Sequence, residues 1–138
     1  MSDTLVDTNV LVDVFNDDAT WDDWSEGQIT AARRSGSLVI NPLVYAEICG
    51  GYPTQRQADQ ALSTLLYRRE SLPWDAAFNA SRAFIAYRNA GGAKRSPLPD
   101  FYIGAHAEVK GYALLTRDPG RYRSYFPALK IIAPDTHP

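Results

Sequence analysis

The run Leu38-Val39-Ile40 lies between Ser35-Gly36-Ser37 and Asn41-Pro42, and this tightly bounded apolar segment constrains the chain more than any other feature. It is too short for a buried helix, and its turn-forming borders and β-branched residues mark it as a buried strand. Asn41-Pro42 then has the form of a helix start, an N-cap residue followed by proline at the first helical position. The same passage from strand to helix recurs. Residues 3–7 read as a first strand that runs through Asp7-Thr8-Asn9 into Val10-Leu11. Ala113-Leu114-Leu115-Thr116 runs into a short turn of helix opened by Asp118-Pro119, and Lys130-Ile131-Ile132 makes a last strand. Strands that alternate with helices build βαβ units, so the chain is expected to fold as a three-layer α/β/α sandwich around a mainly parallel sheet.

The intervening segments carry helical spacing. Trp21 to about Arg34 is a helix with a thin apolar stripe, and a short helix after Asn41 carries Leu43, Val44, Glu47 and Ile48 before Gly50-Gly51. The clearest period, Ala58, Ala61, Leu62, Leu65 and Leu66, predicts one helix from Thr54 to Arg69. Ser71-Leu72-Pro73-Trp74 is extended and is the candidate third strand, after which Asp75 is expected to cap a helix ending near Gly91-Gly92. Asp100 to Lys110 is a helix stopped by Gly111. With 138 residues and no repeat or linker, residues 1–138 are expected to form one domain. No run of 18 apolar residues and no signal-peptide layout occurs, so a cytoplasmic protein is expected, with no membrane contact. The single cysteine, Cys49, excludes an internal disulfide and sits in an apolar segment as a buried thiol.

A net charge of −2 draws no nucleic acid globally, but the charge is segregated. Eight of the 16 acids precede residue 27, where no Lys or Arg occurs, which leaves 14 basic against 8 acidic side chains in the rest. Such a distribution permits a basic face on an acidic protein.

Four acids stand out. Asp7 and Asp118 end apolar strand runs, which places both at the C-terminal edge of a parallel sheet, where ligands of open α/β sheets bind. Helices entering from that edge bring Glu47 and Asp100 beside them. Asp7, Asp100 and Asp118 each also stand where a carboxylate caps a helix. Glu47 is different, because it lies in the second turn of its helix and caps nothing. Unit charges brought to about 4 Å repel by roughly 4 kcal/mol per pair at an effective dielectric near 20, so such a cluster calls for a cation. All-oxygen ligands favour Mg²⁺, with Mn²⁺ a plausible substitute, over Zn²⁺. Thr8, Asn9 and Thr116 are placed to orient the carboxylates by hydrogen bonds.

Asp7-Thr8-Asn9-Val10-Leu11, Tyr45-Ala46-Glu47-Ile48, Pro99-Asp100-Phe101-Tyr102-Ile103-Gly104-Ala105-His106-Ala107 and Leu114-Leu115-Thr116-Arg117-Asp118 together resemble the four acidic motifs of the PIN domain, in the family's order and across nearly the whole chain. The nearest resemblance is to the single-domain toxin branch, the VapC-type ribonucleases of toxin–antitoxin pairs. It implies magnesium-dependent RNA cleavage, inhibition by a co-encoded antitoxin, and Asp7, Glu47, Asp100 and Asp118 as the metal-site acids. One position departs from the pattern. Many relatives read Thr-x-Asn-x-x-Asp-Phe at the last motif, whereas Thr116-Arg117-Asp118-Pro119-Gly120-Arg121-Tyr122 has its acid early and Arg121 in the later acidic slot.

The expected chemistry is hydrolysis of an RNA phosphodiester by water activated at one or two metal ions, leaving a 5′-phosphate. Lys94, Arg95, Arg117 and Arg121 are the candidate RNA-binding side chains, and Tyr102, Tyr122 and Tyr125 the candidate base-stacking rings. His106 is expected to pack a helix. Trp21 or Trp24, on their thin helix, is expected to meet a second subunit or an antitoxin segment, and a homodimer is the expected assembly. Three other classes compete. A non-catalytic PIN-like scaffold would typically have lost an acid, and all four remain. A phosphoacceptor receiver domain would end its third strand in the phosphorylated aspartate and follow its last strand with lysine, whereas Pro73-Trp74-Asp75 and Lys130 fit neither position. An aspartate-nucleophile phosphatase would read Asp-x-Asp, and position 9 is Asn.

Overall fold

A computed structural model describes residues 2–65, 67–93 and 98–138. Its centre is β1 (Thr4–Val6), whose three residues are all buried. β1 pairs in parallel with β2 (Leu38–Ile40) on one side and β4 (Ala113–Leu115) on the other. Outside these lie β3 (Tyr67–Arg69) and β5 (Ile131–Ile132), giving one parallel sheet in the order β3-β2-β1-β4-β5. Register pairs Thr4 with both Leu38 and Ala113, so the tips of β1, β2 and β4 are level. The chain winds outward from β1 to β3 and then returns to β4 on the opposite side. The strand order therefore reverses between β1 and β4, and a crevice opens there at the C-terminal edge.

Among the described residues seven helices cover the sheet: α1 (Thr8–Phe15), α2 (Asp22–Ser35), α3 (Pro42–Cys49), α4 (Gln55–Leu62), α5 (Trp74–Asn89), α6 (Pro99–Lys110) and α7 (Gly120–Tyr125). The α/β/α sandwich read from the sequence is the fold observed. Local chemistry explains the starts and stops that position the site. Asp7 caps α1 by accepting from the Thr8 N–H, and Asn41 caps α3 by accepting from Leu43 and Val44. Gly111 ends α6 in the left-handed conformation (φ 72°), and β4 begins two residues later. α6 runs through the interior, with Phe101, Ile103, Ala105 and Ala107 buried, while α5 lays the small side chains Ala76, Ala80 and Ala83 against the core.

Two expected elements differ. The helix predicted from Thr54 to Arg69 ends at Leu62; a 3-10 turn covers Ser63–Leu65, and Tyr67–Arg69 is the third strand. Leu65 remains on the buried side of that turn, so the apolar period outlasts the α-helix that it suggested; Leu66 lies outside the described residues. Ser71-Leu72-Pro73 is irregular, and α5 begins at Trp74 behind Pro73 without a cap from Asp75. No described helix is long and apolar enough to cross a membrane. Cys49 is a free thiol of intermediate exposure, less enclosed than its neighbours suggested.

Candidate active site

Asp7 stands at the tip of β1 with its side chain buried, and four donors converge on it. Its Oδ1 accepts from the Thr8 N–H (2.8 Å), and its Oδ2 accepts from the hydroxyls of Thr116 (2.9 Å) and Tyr122 (2.9 Å) and more distantly from the Asn9 amide (3.4 Å). Thr116 is buried at the tip of β4, and its hydroxyl also accepts from the Asp118 N–H (3.1 Å), tying two strand ends together. Asn9 joins the same junction, receiving the Arg117 N–H on its Oδ1 (3.1 Å). Thr8 reaches the other way, donating its hydroxyl to Glu47 Oε1 on α3 (2.9 Å).

Asp100 enters from the first turn of α6, and the Tyr122 hydroxyl lies between the two aspartates, 2.9 Å from Asp7 Oδ2 and 3.4 Å from Asp100 Oδ1. Tyr122 reaches this position because α7 lies close against α6 at Gly104. A Cβ at Gly104 would fall 2.6 Å from the Phe126 ring and 3.0 Å from the Tyr122 ring. Arg121 pairs with Asp100 Oδ2 at 2.9 Å, its guanidinium held beside the rings of Tyr87 and Phe101. The residue that stands in the family's later acidic slot is thus a cation seated on one of the remaining acids.

The charges of this junction are not balanced. Burial, opposed by the Thr116 hydroxyl and reinforced by the charge of Asp100, pushes the Asp7 carboxyl from 3.8 up to about 6. Burial and the flanking charges of Asp7 and Asp100 hold the Tyr122 phenol protonated well above its ordinary range, so it stays a donor. The buried Asp7, raised first by burial and further by the charge of Asp100, and the half-exposed Asp100 on the other side of the Tyr122 hydroxyl form a donor set suited to a hard divalent cation. Asp7 and Asp100 are the pair that fits. Glu47 is exposed and linked to the pair through Thr8, and Asp118 is exposed, contributing its backbone N–H to Thr116. Among the described residues no three His, Cys, Asp or Glu side chains are grouped to hold one ion. The four acids expected at a single centre therefore stand as one close pair with two acids at its rim.

Several other side chains take positions that the sequence did not suggest. Arg117 turns inward, giving Nε (2.8 Å) and Nη2 (3.0 Å) to the buried carboxylate of Asp13, which also accepts from Ser25 (2.8 Å). Its guanidinium lies over the Trp21 ring, so Arg117 latches the loop after β4 to α1 and α2 instead of presenting a free cation at the rim. Tyr122, expected to stack on bases, is buried beneath the acids. Tyr125 packs edge-on to Phe101 and Tyr87. Trp21 and Trp24 meet each other edge to face, and Trp24 Nε1 donates to the His137 carbonyl (2.6 Å), so both find partners within the chain while remaining half-exposed. Lys94 and Arg95 lie outside the described residues. Tyr122 carried a signal nevertheless: a glycine in the middle of α6 marks a close approach, and α7 is the element that makes it.

The sequence matches the PIN domain over residues 4–126, and the chain belongs to that family. No protein of curated function matches it in sequence. Its fold is similar to chains of several solved toxin–antitoxin structures. VapBC2 from Rickettsia felis, bound to a DNA fragment from its promoter, superposes with a TM-score of 0.75 at 16% identity, covering 95% of this chain and 98% of that one. VapBC-1 from nontypeable Haemophilus influenzae gives 0.70 at 18% identity, covering 95% and 97%. A toxin–antitoxin complex from Klebsiella pneumoniae gives 0.70 at 21% identity, covering 94% and 95%.

Proposed function

We propose that the chain is a metal-dependent endoribonuclease and the toxin of a toxin–antitoxin pair. The observation that carries this reading is the apposition of Asp7 and Asp100, 93 positions apart in sequence, across one buried hydroxyl at the sheet's switch point, with the Asp7 carboxyl raised to about 6. Mg²⁺ or Mn²⁺, one ion or two, would be held by Asp7 and Asp100, with Asp118 and Glu47 completing its surroundings from the rim. The ion's contribution when bound is to activate water and to stabilise charge on the phosphate. The chain's own groups do the positioning. Thr116, Tyr122 and Asn9 fix the Asp7 carboxylate, Thr8 fixes Glu47, and the buried tip of β1 excludes bulk water from behind Asp7. Lys94, Arg95 and Arg121 supply positive charge for the RNA backbone. The similarity to VapBC chains supports a co-encoded antitoxin as partner, and with RNA as substrate the place of action would be the cytoplasm.

A second reading, a PIN-like scaffold that binds RNA or protein without cutting, is favoured by the Arg121–Asp100 ion pair. One assay separates them. Wild type, Asp7→Asn and Asp100→Asn are incubated with RNA in Mg²⁺, in Mn²⁺ and in chelator, and the product ends are analysed. The nuclease reading requires cleavage that depends on metal and on both acids and that leaves 5′-phosphates; 2′,3′-cyclic phosphates would refute hydrolysis by water. RNA retention without cleavage in any metal would establish the scaffold.

A further inference from the structure

A cavity of about 200 Å³ opens at the C-terminal tips of β2 and β3, apart from the acid pair but on the same edge of the sheet. Ile40 and Asn41 line it from β2, Arg69, Glu70 and Ser71 from the end of β3, and Tyr45 from α3. Strand register fixes its distance from the acids. Leu5 pairs with Val39 and Ile40 with Arg69, so Asp7, Asn41 and Glu70 stand level across three adjacent strands. Neighbouring strands lie about 5 Å apart, which puts the cavity roughly 5–10 Å from Asp7 along the edge. α3 stands between the two. It carries Glu47 to the Thr8 hydroxyl on one side, while Tyr45, two residues earlier and so nearly opposite on the helix, lines the cavity.

We infer that this cavity receives one unpaired RNA base flanking the cleaved bond, and that it selects bases carrying a carbonyl oxygen. The inference rests on the reading of the chain as acting on RNA. Both charged side chains in the wall are already paired, Arg69 with Asp59 and Glu70 with Arg68 (3.7 Å), so the cavity is not built for a phosphate or a cation. Its volume equals that of about seven waters, the scale of one heterocyclic base. The wall is flat and fixed. The Arg69 guanidinium lies 4.5 Å from the centroid of the Tyr45 ring, and Asp59 accepts from both the Tyr45 hydroxyl (2.7 Å) and Arg69. Aromatic and guanidinium planes are the surfaces on which splayed bases of single-stranded RNA stack. The polar groups left over are donors. Arg69 spends Nε and Nη2 on Tyr67 and Asp59, and neither its Nη1 nor the Ser71 hydroxyl has a partner among the described residues. Asn41 spends one amide N–H on His106 and has a second, whereas the Glu70 oxygens already accept from His106 and Tyr112. Donors facing a base select its acceptors, and guanine, uracil and cytosine each present a carbonyl oxygen where adenine has none.

The test is a binding measurement in chelator, so it does not depend on cleavage. Short fluorescein-labelled single-stranded RNAs, with an abasic nucleotide moved through each position in turn, are titrated with the full chain and read by fluorescence anisotropy. Wild type is expected to lose about tenfold in affinity at one abasic position, and about as much when adenine replaces guanine or uracil there. Arg69→Gln is expected to erase most of that discrimination. Ser71→Ala, which removes only an exposed hydroxyl and leaves the fold intact, is expected to narrow it about threefold. A wild type that loses no affinity at any abasic position, or a discrimination unchanged in both variants, overturns the inference. If RNA is nevertheless cleaved in Mg²⁺, the nuclease reading stands and the cavity assignment alone falls. Base discrimination without cleavage in any metal does the reverse. Guanosine or uridine that binds alone as tightly as the RNA, with no positional dependence in the RNA, would assign the cavity to a free nucleoside instead.

Discussion

Two polar networks join elements across the sheet, and the carboxylates at their centres are shifted in opposite directions. Beyond β2 and β3, Glu70 accepts from the Tyr112 hydroxyl (2.8 Å) and from His106 Nε2 (2.7 Å), and the other His106 nitrogen accepts from the Asn41 amide (3.1 Å). Arg68 closes this network through Tyr112 and Asp3. Burial tends to raise the Glu70 carboxyl, but the hydrogen bonds from His106 and Tyr112 outweigh it and leave it lowered. Beyond β1 and β4, Asp7 has four donors, and still its carboxyl is raised, because it is more deeply buried and faces a second carboxylate. A carboxylate whose charged form is stabilised by its own chain holds the fold together. One whose charged form is disfavoured by burial and a second carboxylate costs stability in the absence of a ligand, and such sites mark function.

The sharpest way to break this comparison is to remove one carboxylate from each network. Asp100→Asn is expected to lower RNA cleavage by on the order of 10³-fold or more while the chain stays folded. Glu70→Gln turns an amide N–H₂ toward donors and is expected to cost about 1–3 kcal/mol of stability with little change in cleavage below the melting temperature. Parallel urea unfolding and RNA cleavage assays check both, and a large activity loss in Glu70→Gln would end the division of roles.

His106 provides the next test. It is fully buried, and burial, opposed by Glu70, lowers its pKa, so it sits in the fold as the neutral imidazole. His106→Ala leaves a cavity and strands the Asn41 amide, with an expected cost of about 3 kcal/mol in urea unfolding.

The two networks also respond oppositely to pH. The folded Asp7 carboxyl, at about 6 against 3.8 unfolded, contributes stability that is complete below about pH 3.8 and is lost as pH rises through 6. The full span is about 3 kcal/mol, from a shift of roughly two units at 1.36 kcal/mol each. His106 has a folded pKa below its unfolded value of 6.5, so its contribution is complete above pH 6.5 and is lost as pH falls toward the folded value. In chelator, Asp7→Asn is expected to flatten the rise in stability seen on acidification from pH 7 to pH 5, and His106→Leu to steepen it. Added Mn²⁺ is expected to act as Asp7→Asn does, because the ion competes with the proton. Urea titrations at fixed pH values measure each slope.

Much of this was legible in the residues, and the gaps have physical causes. β1, β2 and β4 are short apolar runs with turn residues at their borders, and the contacts of Thr8, Asn9 and Thr116 followed from their places at strand tips. β3 was hidden because an edge strand needs no apolar run. Its residues Tyr67, Arg68 and Arg69 are half-buried or exposed and are held by pairing to β2 and by side-chain bonds to Asp3, Asp59 and Tyr112. Helical spacing in front of it ran on through the 3-10 turn and concealed the break. The inward turns of Tyr122 and Arg117 depend on the close approach at Gly104 and on a buried Asp13, which are tertiary facts that no local pattern displays.

Arg121 offers the finest test, because it supplies within the chain part of what a metal would supply from outside. Its pair with Asp100 is about 40% exposed on either side, so it contributes no more than about 1 kcal/mol to folding. The guanidinium must move, or share Asp100, when a cation binds. Arg121→Gln removes that competition and is expected to tighten Mn²⁺ binding by up to about fivefold, the equivalent of 1 kcal/mol, with a smaller gain at high salt. Calorimetric titration of Mn²⁺ into the two proteins measures the effect directly. RNA affinity is expected to move the other way, since the same substitution removes a cation from the rim. Weaker Mn²⁺ binding in Arg121→Gln would instead show that the guanidinium orients Asp100 for the ion, and the excess negative charge would then extend no further than Asp7.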